Sequence, residues 1–224
     1  MSESFREVFY RSFRETGREA AKIAHYFPIY EQYFERFREA PIALLEIGIH
    51  KGGSLAMWAE CFPNARIFGV DINPDCKAFE DDRIKVFIGS QGDEGFLQWV
   101  AAETGPLDII IDDGSHLSKQ QILTLQTLFP HLVDGGVYFI EDLVTSYDKY
   151  QYHDPEGGLG KPNTCISYLK SLIDDIHYSA HEKGEQTIWA RELMGMAFFE
   201  SACVLEKGRR LPLEVVRSSQ GRHR

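Results

Sequence analysis

Basic residues are scarce in this chain, with 24 lysines and arginines against 34 aspartates and glutamates and a formal net charge of -10. No basic stripe is left to hold a phosphate backbone or an anionic lipid surface, so neither nucleic acid nor a membrane is expected as a partner. A small molecule fits better. Cysteine is scarce too: Cys61, Cys76, Cys165 and Cys203 stand far apart, without the close pairs of a zinc site or the density of a disulfide scaffold. No apolar run is long enough to cross a bilayer, and the charged opening Met1–Tyr10 does not read as a signal peptide, so a cytoplasmic location is expected. Also missing are the Gly-x-Gly-x-x-Gly of dinucleotide binders and the Gly-Lys-Ser/Thr phosphate loop, which weakens any pyrophosphate ligand.

What is present is enough apolar material for one core: 43% hydrophobic residues in 224, the length of a single domain. Residues 1–40 carry apolar positions at helical spacing, first Phe5, Val8, Phe9 and Phe13, then Tyr26, Phe27, Tyr30, Tyr33, Phe34 and Phe37. They predict two N-terminal helices ending before Pro41, whose aromatic stripe serves packing or a subunit interface. From residue 41 to 210 the pattern changes. Short apolar runs at Ile42–Ile47, Arg66–Val70, Ile84–Ile88, Leu107–Ile111 and Val137–Ile140 predict parallel strands, with helices near Ser54–Cys61, Asp93–Ala102 and Lys119–Phe129 between them. Alternation of this kind predicts a doubly wound α/β sheet. A Gly- and Pro-containing stretch near residues 145–163 reads as a lid, followed by a helix near Ile166–Ile176 and two strand-like runs near Thr187 and Ala197. Residues 211–224 read as a tail, frayed over Ser218–Arg224.

Where the first strand meets the first helix, Leu45-Glu46-Ile47-Gly48-Ile49-His50-Lys51-Gly52-Gly53-Ser54 lets glycines bring backbone amides close to a ligand. Past the second strand, Asp71 in Gly69-Val70-Asp71-Ile72 is placed to accept hydrogen bonds from both hydroxyls of a ribose. Together these imply a nucleoside. The fourth and fifth strands end in Asp112-Asp113-Gly114-Ser115-His116 and Glu141-Asp142. Four carboxylates on one edge of a parallel sheet repel one another unless a cation or protons intervene, and hard oxygen donors suit magnesium better than zinc. His116, three residues past Asp113, can reach an oxygen bound to such an ion and act as a base.

Glu46-x-Gly48 with Asp71 resembles motif I and the acidic loop of class I methyltransferases, and Gly89-Ser90-Gln91-Gly92-Asp93 resembles the adenine-lining segment of that class. Ile111-Asp112-Asp113-Gly114-Ser115-His116 and Ile140-Glu141-Asp142-Leu143 further resemble the magnesium-dependent sugar O-methyltransferases of antibiotic biosynthesis, the macrocin and mycinamicin O-methyltransferase family, from about residue 42 to 205. The resemblance implies a Rossmann-like, seven-stranded class I fold. It implies S-adenosylmethionine bound by Glu46, Gly48, Gly52, Gly53, Ser54, Asp71, Ile72, Gln91 and Gly92, with Asp112 left between cofactor and metal. It implies Mg2+ or Mn2+ on Asp113, Glu141 and Asp142, His116 as the base, and Tyr147 and His153 near the acceptor. A glycosylated small-molecule hydroxyl is the expected acceptor, and a homo-oligomer the expected assembly. Three other readings stay open. A phenolic acceptor would use the same groups; a silent partner subunit would keep the fold without turnover; a nicotinamide dehydrogenase would share the glycine loop but leave the strand-end acids unexplained.

Overall fold

The computed structural model describes residues 3–147, 154–181, 184–211 and 213–216. The five apolar runs form strands β1 (Ala43–Ile47), β2 (Arg66–Asp71), β3 (Ile84–Ile88), β4 (Leu107–Asp112) and β5 (Leu132–Ile140). With β6 (Leu193–Phe199) and β7 (Ala202–Lys207) they make one seven-stranded sheet in the order β3-β2-β1-β4-β5-β7-β6. Neighbours from β3 to β5 are parallel, while β7 runs antiparallel to both β5 and β6. The expected doubly wound, mostly parallel sheet is therefore present.

Every residue of β1 is buried, as befits a central parallel strand covered on both faces. On one face lie α1 (Phe5–Thr16), α2 (Tyr26–Phe34) and α3 (Gly53–Cys61); on the other lie α4 (Glu94–Thr104), α5 (Ser118–Leu128) and α6 (Cys165–Ile176). Two short helices, α7 (Tyr178–His181) and α8 (Ile188–Glu192), lead into β6. α1 begins where Ser4 and Glu7 form a reciprocal capping box and ends at Gly17, whose φ of 67° is the left-handed conformation that closes helices. The aromatic stripe is internal packing: Tyr30 and Phe34 stack on each other and meet Trp58 and Phe139 edge-on or tilted.

Two expectations about elements are corrected. The run near Thr187 is not a strand, because the Thr187 hydroxyl accepts from the Ala190 amide and starts the helical turn α8. The last two strands are instead the hairpin β6–β7. β5 begins five residues before Val137, its pairing with β4 shifting register on the way past Asp134-Gly135. His153 and Ser218–Arg224 lie outside the described residues. The near side of the anticipated lid is a 3-10 turn, Leu143–Tyr147; on its far side the buried Asp154 accepts from the Ser118 amide at 3.0 Å, and Gly158 donates to the Ser146 carbonyl.

Chain direction places the site. β2 and β3 lie on one side of β1 and β4 and β5 on the other, so the order reverses between β1 and β4 and leaves a crevice beyond their carboxyl ends.

Candidate active site

Gly48 ends β1 with φ of +85°, and a Cβ there would lie 2.1 Å from the Asp113 carbonyl oxygen at the end of β4. Glycine is required because the two strand ends converge. Beside it opens a cleft of about 310 Å³ lined by Gly48, Asp71, Ile72, Ser90, Gln91 and Gly114 among others. One Asp71 oxygen accepts from the Ile49 and His50 amides at 3.0 and 2.9 Å, and the other accepts from Asn73. Asp71 thus shapes the glycine loop as well as facing the cleft. Gln91 donates to Asp112 and Thr124 at 3.1 Å and accepts from the Ser115 amide, so it ties the third strand's loop to the fourth's. Gly92 faces the neighbouring groove between α5 and α6.

Asp112 stands behind this cleft, fully buried, held by Gln91 and by a long 3.5 Å bond from Tyr138. Burial pushes its carboxyl up to about 7.

A second cleft of about 400 Å³ shares Gly48, Asp71 and Gly114 with the first and adds Ser54, Asp113, His116 and Asp142. Among the described residues, Asp113, His116 and Asp142 can bring one ligand atom each within 4.8 Å of one another, a set that fits a hard divalent cation. His116 and Asp142 both hold left-handed backbone, at φ of 57° and 53°, as does His50 at 46°. Left-handed conformation at a non-glycine residue is strained, and strain of this kind gathers where geometry serves function. His116 Nε2 lies 3.7 Å from Asp142 Oδ2, while its buried Nδ1 has no partner among the described residues. The Tyr26 hydroxyl donates to Asp142 Oδ1 at 2.9 Å and holds that carboxylate from below.

Glu141 sits deeper and belongs to a different partner. Lys22, from the segment between α1 and α2, sends its ammonium into the acid cluster, donating to Asp113 at 2.7 Å, to Glu46 at 3.0 Å and to both Glu141 oxygens at 3.0 and 3.1 Å. The Tyr30 hydroxyl adds a bond to Glu141 at 2.6 Å. Burial works against the Lys22 charge, but Asp113 and Glu141 outweigh it and hold the ammonium protonated. Burial and the Asp113 charge push Glu141 well above the usual carboxylate range despite Lys22, and burial raises Glu46 as well. Burial is the larger cause in both, and a single ammonium beside three carboxylates does not offset it. A divalent ion would meet that excess.

Gly52 and Gly53 open α3 under this cluster, and a Cβ on Gly53 would meet the backbone of Arg18 and Glu19 at 2.6 Å, so the segment bearing Lys22 lies directly on the glycine loop. Tyr147 is half-exposed, its ring 6.0 Å from the Lys170 ammonium, outside both clefts. Sequence reading missed Lys22, Tyr26 and Tyr30. A lone charge within Ala20-Ala21-Lys22-Ile23-Ala24 was the only signal for the first.

A methyltransferase-domain family matches residues 45–143, the stretch from the glycine loop to the turn after the fifth strand. The 8-demethyl-8-(2-methoxy-alpha-L-rhamnosyl)-tetracenomycin-C 3'-O-methyltransferase of Streptomyces olivaceus is 43% identical over 87% of this chain and 54% of its own length. The demethylmacrocin O-methyltransferase of Streptomyces fradiae is 36% identical over 82% of this chain and 49% of its own. Among solved structures, the MycE methyltransferase from the mycinamycin biosynthetic pathway, in complex with Mg and SAH, superposes with a TM-score of 0.82 at 32% identity over 93% of this chain and 55% of that one. The chain spans about half the length of the relatives it matches.

Proposed function

From the premise that this chain belongs to the sugar O-methyltransferase family, as a class I methyltransferase domain, we propose that it moves a methyl group from S-adenosylmethionine to a sugar hydroxyl of a glycosylated small molecule. A divalent ion, Mg2+ or Mn2+, completes the site in this reading. The observation that carries it is the joining of two clefts through Gly48, Asp71 and Gly114, one shaped for a nucleoside and one lined by acids and a histidine.

When bound, the cofactor would supply an electrophilic methyl and the ion would lower the pKa of the acceptor hydroxyl. The chain's own residues do the rest. Gly48 and Gly114 let the strand ends and the Gln91 loop pack closely beside the cleft, and Asp71 fixes the glycine loop that would face the nucleoside. Asp113 and Asp142 would hold the ion, with Glu141 behind them, and Tyr26 keeps Asp142 aimed. His116 takes the acceptor's proton at Nε2, the nitrogen facing Asp142, as the new oxygen–carbon bond forms and the sulfur–carbon bond breaks. Alignment of oxygen with methyl supplies much of the rate. An alcohol needs this base more than a phenol does, which favours the sugar over a phenolic acceptor.

We also place the protein in the cytoplasm as a homo-oligomer. All four cysteines are free and buried, in keeping with a reducing compartment, and no described helix is long and apolar enough to cross a membrane.

Calorimetric titration tests the reading. Wild type is expected to bind S-adenosylmethionine and, separately, Mg2+; Asp71→Ala loses the first and Asp113→Ala the second. A wild type that binds no cofactor overturns the assignment.

A further inference from the structure

Residues 17–25, the strap between α1 and α2, do more than connect two helices. The strap lies on the glycine loop at Gly53, walls the acid-lined cleft with Ala20, Ala21 and Lys22, and buries the Lys22 side chain to 1% exposure. An ammonium has three donors, and here all are spent on the carboxylates of Glu46, Asp113 and Glu141. Of these three, Asp113 is a ligand of the divalent ion in the function proposed above, and Glu141 stands directly behind it. A Mg2+ ion binds carboxylate oxygen at about 2.0–2.1 Å. With Nζ already 2.7 Å from Asp113 and 3.0 Å from Glu141, an ion bridging both would stand almost against the ammonium. Two cations at that separation, one of them on a side chain only 1% exposed, repel strongly.

We propose that Lys22 is an internal competitor for the divalent ion: it occupies Asp113 and Glu141, and the ion takes them only as Lys22 and its strap withdraw. Withdrawal would also widen the cleft that Ala20 and Ala21 wall, so ion loading and entry of the acceptor are coupled through one segment. By linkage, whatever favours one favours the other. The proposal rests on the metal reading of the site, and it separates Lys22 from an ordinary buried ion pair. A purely structural Lys22 would help keep the ligand carboxylates in place, and its loss would weaken ion binding.

The test is calorimetric titration of Mg2+, repeated with Mn2+, into wild type, Lys22→Met, Lys22→Arg and Lys51→Met. Lys51 pairs with Glu19 of the same strap at the surface and touches none of the acids. Lys22→Met is expected to bind the ion about tenfold tighter or more, and the other two variants as wild type does. Equal or weaker binding by Lys22→Met overturns the competition; binding by neither wild type nor Lys22→Met overturns the metal reading with it. Hydrogen exchange on wild type needs no variant. Saturating Mg2+ is expected to speed exchange in residues 17–25, and unchanged or slowed exchange there overturns the proposal even if Lys22→Met does not fold.

Discussion

Of the two clefts at the carboxyl edge of the sheet, one is built on backbone packed too closely for side chains and the other is crowded by charged ones. The first is framed by Gly48, where a Cβ would strike the Asp113 backbone, and by Gly114, where a Cβ would strike Gln91. The acid cleft packs Glu46, Asp113, Glu141 and Asp142 around Lys22 and His116. A backbone-made cleft is set by local geometry and fails all at once when that geometry is blocked. A charge-made cleft depends on groups from distant parts of the chain and fails by degrees.

The sharpest way to break the contrast is Gly48→Ala. A Cβ at 2.1 Å from the Asp113 carbonyl, in left-handed backbone, forces β1 and β4 apart. Cofactor affinity is expected to fall about 100-fold or more, with a lower melting temperature, since overpacking and left-handed strain each cost about 1–3 kcal/mol. Calorimetry and thermal denaturation check it. Next is His116→Ala, which leaves the backbone-made cleft alone: kcat falls about 10²–10⁴-fold while cofactor affinity holds within about twofold. A parallel loss of cofactor affinity would show that the clefts are not separable.

Asp112→Asn probes the buried layer behind the first cleft. With its carboxyl pushed up to about 7 in the fold, against about 3.9 in an unfolded chain, Asp112 holds a proton that unfolding releases. Its contribution to stability is full below about pH 4, is lost as pH rises toward 7, and is constant above that. Asn removes this slope, so the variant gains about 2–4 kcal/mol on wild type between pH 4 and pH 8, read from urea midpoints. Some slope remains, because Glu46 and Glu141 are raised in the same direction. The smallest effect is expected from Tyr30→Phe, which removes the 2.6 Å bond to Glu141 and costs about 1–2 kcal/mol by thermal denaturation with cofactor affinity unchanged.

The contrast also explains what a sequence discloses. Gly48, Asp71, Asp113 and Glu141 each sit at the end of an apolar run, so each proposed site residue and the strand that places it are neighbours in the chain and can be read together. Lys22 lies 91 residues from Asp113 and 119 from Glu141, and nothing in its surroundings codes for that meeting. Tyr30 was legible as packing, because its ring obeys helical spacing; its hydroxyl's bond to Glu141 leaves no mark on periodicity. The start of β5 was hidden by Gly135-Gly136, which looks like a turn, and α8 by the apolar residues of its single turn. Long-range polar pairs, and strands that run through glycine, are where one-dimensional pattern ends.

His50, His116 and Asp142 hold left-handed backbone that asparagine or glycine would occupy at lower cost. Selection for heat resistance alone would therefore pull these three positions toward Asn or Gly, each step returning about 1 kcal/mol. At His116 and Asp142 that path would remove the proposed base and one proposed ligand of the ion, so heat resistance and activity are set against each other at the same two backbone positions.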